Sequence, residues 1–134
     1  MKTAKELLLA YLNNIGNPEV QIDLFSEDAA IELPYLTNPG NPGRWTGRDT
    51  LFNFLTNLPQ TFPGFHFHDI QIHIDTPDQA FGEYKATATI AANGKTYNQH
   101  YMGRLVAENG KIKLLREALN MLPVLRDIRG IAIN

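Results

Sequence analysis

The stretch from Ala80 to Leu119, AFGEYKATATIAANGKTYNQHYMGRLVAENGKIKLLREAL, decides the fold. Two Asn-Gly pairs, Asn93-Gly94 and Asn109-Gly110, divide it into three runs rich in apolar and β-favouring residues. Asn-Gly supplies the positive-φ residues of a tight hairpin turn. The three runs are therefore expected to form an antiparallel meander.

Two-residue turns fix a register. Around Asn93-Gly94, Glu83 falls opposite Arg104, Lys85 opposite Met102, and Thr87 opposite His100. Around Asn109-Gly110, Met102 falls opposite Glu117, with His100 and Arg104 as its diagonal neighbours. Opposed residues lie roughly 5 Å apart and diagonal ones roughly 7–8 Å. Glu83, His100, Arg104 and Glu117 are thus expected to gather on one face, provided no one-residue slip intervenes. Phe81, Val106, Leu115 and Leu119 share that face. This favours a half-buried polar site beneath the helices, although a solvated charge ladder is an equal reading of the charges alone. The other face carries Tyr84, Ala86, Ala88, Ile90, Tyr97, Tyr101, Leu105, Ile112 and Leu114 and also looks buried. One set of helices covers one face, so the second is expected to pack on another copy of the chain, giving a homodimer through the sheet.

Upstream, Phe65 and Phe67 fall on odd positions but Ile70, Ile72 and Ile74 on even ones. A phase slip inside a strand signals a β-bulge and a bent sheet. At the N-terminal end, Ala4, Leu7, Leu8, Tyr11, Leu12 and Ile15 repeat at helical spacing, and Thr3 with Glu6 forms a capping-box pattern. Asn17-Pro18 starts a second helix running to about Phe25, which Ser26-Glu27-Asp28 breaks. Ala29 to Leu33 reads as a strand, and Pro34 to Thr46 as a loop rich in proline and glycine. Thr46 and Asp49 are expected to cap a third helix with Leu51, Phe54, Leu55 and Leu58 on its buried stripe. From Leu122 the tail is expected to form one short helix. Helices gathered on one side of a bent meander define an α+β domain spanning residues 1–134.

Composition narrows the function. With 43% hydrophobic and 19% charged residues the chain is globular, and a net charge of −2 offers no field for nucleic acid or an anionic membrane. No apolar run reaches bilayer-spanning length, and the first residues carry no cleavage signal, so a cytoplasmic protein is expected. The absence of cysteine excludes thiolate metal sites and cysteine nucleophiles. His66 and His68 share a strand face and His73 lies nearby, but no third ligand has metal-site spacing; no metal and no cofactor are expected. No phosphate loop, nucleophile elbow or dinucleotide fingerprint is present. Tyr35 and Trp45 flank the Pro/Gly loop, where Trp45 either lines a pocket mouth or packs under the loop.

Ile31-Glu32-Leu33-Pro34, the loop ending Gly43-Arg44-Trp45-Thr46-Gly47-Arg48, and the helix after it resemble the SnoaL-like branch of the nuclear transport factor 2-like superfamily. Phe62-Pro63-Gly64-Phe65, Ile72 to Asp78, His100-Tyr101, Glu108 to Lys113 and Arg116-Glu117-Ala118-Leu119-Asn120 are similar to the phenazine-biosynthesis A/B proteins. The resemblance implies a cone-shaped, cystatin-like fold, with helices packed on a strongly curved, mostly antiparallel sheet, a dimer, and a cavity for a small organic molecule. It also implies acid–base assistance by Glu117, in the Arg-Glu motif of the last strand, with Glu83 as the acidic residue of the middle strand. The family's third-helix histidine and serine fall on Phe54 and Leu58, so phenazine chemistry is not expected unchanged. Ketosteroid isomerase shares the fold, but its tyrosine and two aspartates fall near Leu8, Leu33 and Met102.

The leading expectation is an isomerase-, cyclase- or condensation-type enzyme acting on a polar cyclic or carbonyl compound. Glu117 would be the acid/base, Arg104 and Glu83 would set its charge, and His100 would relay protons. Tyr35, Trp45, Phe54, Leu58, Phe81, Met102 and Leu119 are the candidate ligand contacts. A non-catalytic binding module and a sheet-mediated protein-interaction domain are the alternatives.

Overall fold

Strand pairing follows the meander and then extends beyond it. The computed structural model describes residues 1–133. In chain order they form α1 (Ala4–Leu12), α2 (Pro18–Ile22), β1 (Phe25–Glu32), a 3-10 turn (Pro34–Leu36), β2 (Arg44–Thr46), α3 (Arg48–Thr61), β3 (His66–Asp75), β4 (Gln79–Thr89), β5 (Thr96–Glu108) and β6 (Lys111–Leu119). A short α4 (Met121–Pro123) then runs into a π-helical turn at Val124–Ile128. The six strands make one sheet in the order β2-β1-β6-β5-β4-β3. Every pairing is antiparallel except β1 with β6.

Local chemistry sets the helices. The Thr3–Glu6 capping box is complete, and it satisfies two amides at the start of α1. Ala4, Leu7, Leu8, Tyr11 and Leu12 are then buried against the sheet. Pro18 opens α2, a position where its missing N–H costs nothing. That helix ends at Ile22, short of Phe25, because β1 already begins there. Ser26-Glu27-Asp28 lies inside β1, in a register irregularity between Phe25 and Ala30. The N-cap of α3 is Gly47 with φ 87°, and neither Thr46 nor Asp49 caps it with a side chain. Of its apolar stripe, Leu51 and Leu55 are buried, whereas Phe54 and Leu58 are half-buried.

The expected bulge in β3 is present. Register shifts lie between His68 and Gln71 and between Ile72 and Ile74, and Asp69 has φ 52°. These kinks bend the sheet toward the helices. Its inner face (Tyr84, Ala86, Ala88, Tyr97, Tyr101 and Leu105) is the one that α1 covers, while the face bearing Glu83, His100 and Arg104 is left open. This reverses the expectation that the ionisable residues lie beneath the helices. A sheet face needs cover according to its area of large apolar groups, and the tyrosine-rich face has more of it.

Both registers depart from two-residue counting, each for a definite reason. Between β4 and β5, Ile90 pairs with Lys95, so residues 91–94 form a four-residue loop with Gly94 at φ 73°. Opposed pairs therefore shift by two, placing Glu83 opposite Met102, Lys85 opposite His100 and Phe81 opposite Arg104. A shift of two preserves the faces. Between β5 and β6, Asn109 and Gly110 do form the tight turn, with φ 54° and 74°, and Glu108 opposes Lys111. A bulge then follows: Ala107 opposes Ile112 while Val106 opposes Leu114, leaving Lys113 as the extra residue. That single insertion inverts everything beyond it in β6. Glu117 opposes Gly103 and points inward.

Candidate active site

Glu117 is carried to the interior on the same face as Leu115 and Leu119, and is 4% exposed. The Tyr84 hydroxyl donates to its Oε2. Gly103 makes this possible: a Cβ there would overlap the Tyr84 hydroxyl oxygen, so the bare backbone of β5 is what lets the phenol cross over to β6. Burial pushes the Glu117 carboxyl up to about 7, against the opposing effect of the Tyr84 hydrogen bond. The group therefore exchanges its proton near neutral pH. Burial, together with the charge on Glu117, also holds the phenol of Tyr11 well above its ordinary value. Tyr84 and Tyr101 are displaced in the same direction for the same reasons, with burial the larger cause in each.

A half-enclosed cavity of about 300 Å³ lies between α3, the inner sheet face and the C-terminal turn. Trp45, Phe54, Phe62, Tyr97, Tyr101 and Leu119 form much of its wall, with Asn38, Asn41 and Arg129 as polar contributions. Glu117 is not on this wall. Tyr101 is, and its ring stacks on Tyr84 at 5.8 Å between centroids. The carboxyl is thus connected to the cavity through two tyrosine rings.

Of the expected ligand contacts, Trp45, Phe54, Leu58 and Leu119 line the cavity. Trp45 packs on Phe54 at 4.8 Å, which satisfies both readings of that residue. Tyr35 is 61% exposed and is absent from the wall. Phe81 and Met102 are on the open sheet face, Met102 being 47% exposed. These two do not meet the cavity because they share the face of Glu83, which the helices leave uncovered.

The expected four-residue cluster is divided by the β6 bulge. On the open face Glu83 accepts from His73 at 2.9 Å and lies 3.2 Å from His100. Arg104 reaches Gln79 at 3.0 Å rather than either glutamate. Neither His100 nor Arg104 shares a face with Glu117, and Glu83 does not either. Among the described residues no group of three or more His, Asp or Glu is placed to hold a metal ion; His66 and His68 instead pack ring against ring at 5.3 Å. Among the described residues no helix is long and apolar enough to cross a membrane.

Sequence reasoning did not find Tyr84, Tyr97 or Tyr101 as site residues. The missed signal was the doublet Leu114-Leu115, where two adjacent apolar residues break strand alternation and mark the bulge.

Comparison with known proteins agrees with this architecture. A model of the SnoaL-like domain family matches residues 9–115. An uncharacterised PhzA/B-like protein of Pseudomonas aeruginosa is 30% identical over 131 residues, spanning 96% of this chain and 92% of that one. The crystal structure of the phenazine biosynthesis-related protein PhzB2 from Pseudomonas aeruginosa superposes with a TM-score of 0.83 at 25% identity, covering 98% of this chain and 87% of that one. A protein with a ketosteroid isomerase-like fold from Catenulispora acidiphila, solved with trimethylamine, gives a TM-score of 0.71 at 14% identity, covering 86% and 85%. This last likeness is one of fold alone.

Proposed function

The chain belongs to the SnoaL-like domain family, and on that premise we propose that its cavity binds a small, mainly apolar ring compound and assists proton transfer on it. The observation that carries the reading is the cavity of about 300 Å³ with an aromatic wall, backed by a carboxyl whose pKa is raised to about 7. A volume at the low end of ligand pockets suits a one- or two-ring compound. A carboxyl that is half protonated near neutral pH is matched to general acid–base work. Isomerisation, cyclisation and condensation all need this kind of step. Glu117 stands one layer behind the wall, so its part is to hold a proton and, through the Tyr84 hydrogen bond and its own charge, to keep the phenols of Tyr84 and Tyr101 protonated.

A second reading, binding without turnover, is favoured by one observation: among the described residues, the only acidic side chain at the site is buried away from the wall. Trp45 is the single tryptophan of the chain and lines the cavity, so its fluorescence reports occupancy directly. Bicyclic ketones, tested in this way, are expected to bind. For a compound that is turned over, Glu117→Gln is expected to keep affinity within about twofold and to lower kcat by about a hundredfold or more. Retained kcat would remove the acid–base role and leave the binding module.

Two copies are proposed to pack through the open sheet face, where Ile74, Phe81, Met102 and Val106 are the apolar groups. A cytoplasmic location completes the proposal, in keeping with a globular composition and a net charge of −2.

A further inference from the structure

The buried glutamine of β5 has every hydrogen bond accounted for, and this leaves one proton over. Gln99 Oε1 accepts from the backbone N–H of Asn120 at 2.7 Å and from that of His100 at 2.9 Å. Its Nε2 donates to the Asn120 carbonyl at 2.9 Å and to the Tyr97 hydroxyl oxygen at 2.8 Å. Asn120 presents an N–H and a C=O to the same amide, so the amide has one orientation; flipping it would face donor to donor and acceptor to acceptor. The group turned toward Tyr97 is therefore always the NH₂.

Tyr97 thus receives a proton at its oxygen and cannot give its own to Gln99. Among the described residues no side chain accepts the Tyr97 proton. The ring is 4% exposed, stacks on Phe62 at 5.0 Å, and lines the cavity. Burial raises its pKa, so the phenol stays protonated at neutral pH despite the Gln99 contact. A buried hydroxyl that accepts but donates to nothing is incomplete until something with a lone pair arrives.

We propose that Tyr97 is the cavity's hydrogen-bond donor to the ligand, directed at a carbonyl or enolate oxygen, with Gln99 as the residue that positions it. This rests on the reading of the cavity as a small-molecule site. It specifies the ligand further: a ring compound carrying an acceptor oxygen is selected over the same skeleton without one. The Gln99 donation to the phenol oxygen also polarises its O–H bond, strengthening the donation as negative charge builds on the ligand.

The test compares 1-tetralone with tetralin, which has the same bicyclic skeleton without the carbonyl, by Trp45 fluorescence. Wild type is expected to bind the ketone about tenfold more tightly, the size of one neutral hydrogen bond. The carbonyl stretch of bound 1-tetralone is expected at lower frequency than in an inert solvent. Tyr97→Phe is expected to abolish the preference and restore the stretch, with tetralin affinity unchanged. Gln99→Glu offers Tyr97 an acceptor in place of a donor, so the stretch should recover there too, although the phenol is still present. Equal binding of both compounds by wild type, or a preference that survives Tyr97→Phe and vanishes in Tyr101→Phe, would overturn the assignment while leaving the cavity as a binding site. Failure of both compounds to bind at millimolar concentration would overturn the assignment and the cavity reading together.

Discussion

At the level of single residues, the pair Glu117–Tyr84 dominates. A carboxyl with a raised folded-state pKa holds its proton more tightly in the folded chain than in the unfolded one. Its contribution is complete below about pH 4.5 and is lost as pH rises through about 7. The whole change is about 3 kcal/mol from the displacement between those two values. Urea unfolding of wild type at pH 5 and pH 8 is expected to show most of that loss, and Glu117→Gln is expected to lack it. Equal pH slopes in the two proteins would mean that Glu117 titrates as an ordinary carboxyl. Gly103 offers an independent probe. Gly103→Ala pushes a methyl group into the Tyr84 hydroxyl and is expected to cost about 1–3 kcal/mol, the usual toll of overpacking. In a Tyr84→Phe background the obstructing oxygen is gone, so the same substitution should cost clearly less. Additive costs would place the strain somewhere other than at this contact. The sequence shows Glu117 as an ionisable residue in a strand, but its environment depends on a glycine and a tyrosine in two other strands.

Between residue and molecule, α3 and β6 show how an element assigns roles to its side chains. α3 has two apolar faces. Leu51 and Leu55 point into the core, whereas Phe54 and Leu58 meet the cavity. Leu55→Ala is expected to destabilise the fold by about 2–5 kcal/mol. Leu58→Ala removes wall rather than core, and is expected to cost about 1 kcal/mol while changing ligand affinity at least as strongly. Denaturant midpoints and Trp45 titrations on the two variants separate these effects; a Leu58→Ala variant as unstable as Leu55→Ala would show the wall to be core. The helical period made this stripe legible in the sequence, but not its division, because Trp45 reaches Phe54 only through the fold of the preceding loop. β6 is the reverse case. Its tight turn was readable from Asn109-Gly110, since Asn and Gly readily accept the positive φ that a two-residue hairpin turn requires. The bulge at Lys113 was not counted, although Leu114-Leu115 marked it, and a side-chain period of two converts one uncounted residue into an exchange of faces.

Across the whole molecule, the sheet divides its chemistry between two environments. Its inner face holds tyrosines, a glutamine and one carboxyl under helices. Its open face holds all four histidines of the chain, with His73 and His100 on Glu83 and with Met102 exposed at its centre. Met102→Arg, which places an added positive charge beside its own copy across a two-fold axis, is expected to shift the sedimentation of the protein from dimer to monomer. A wild type that sediments as a monomer at all concentrations would end the dimer proposal. The helices, the meander, the bent β3 and the family resemblance were all determined by the sequence itself, because capping, turn chemistry and apolar periodicity act over a few neighbouring residues. The inward face of Glu117, its separation from Arg104, the cavity and the spare proton of Tyr97 were decided only in three dimensions. Each depends on register between strands, where one extra residue determines which side of the sheet a group must occupy.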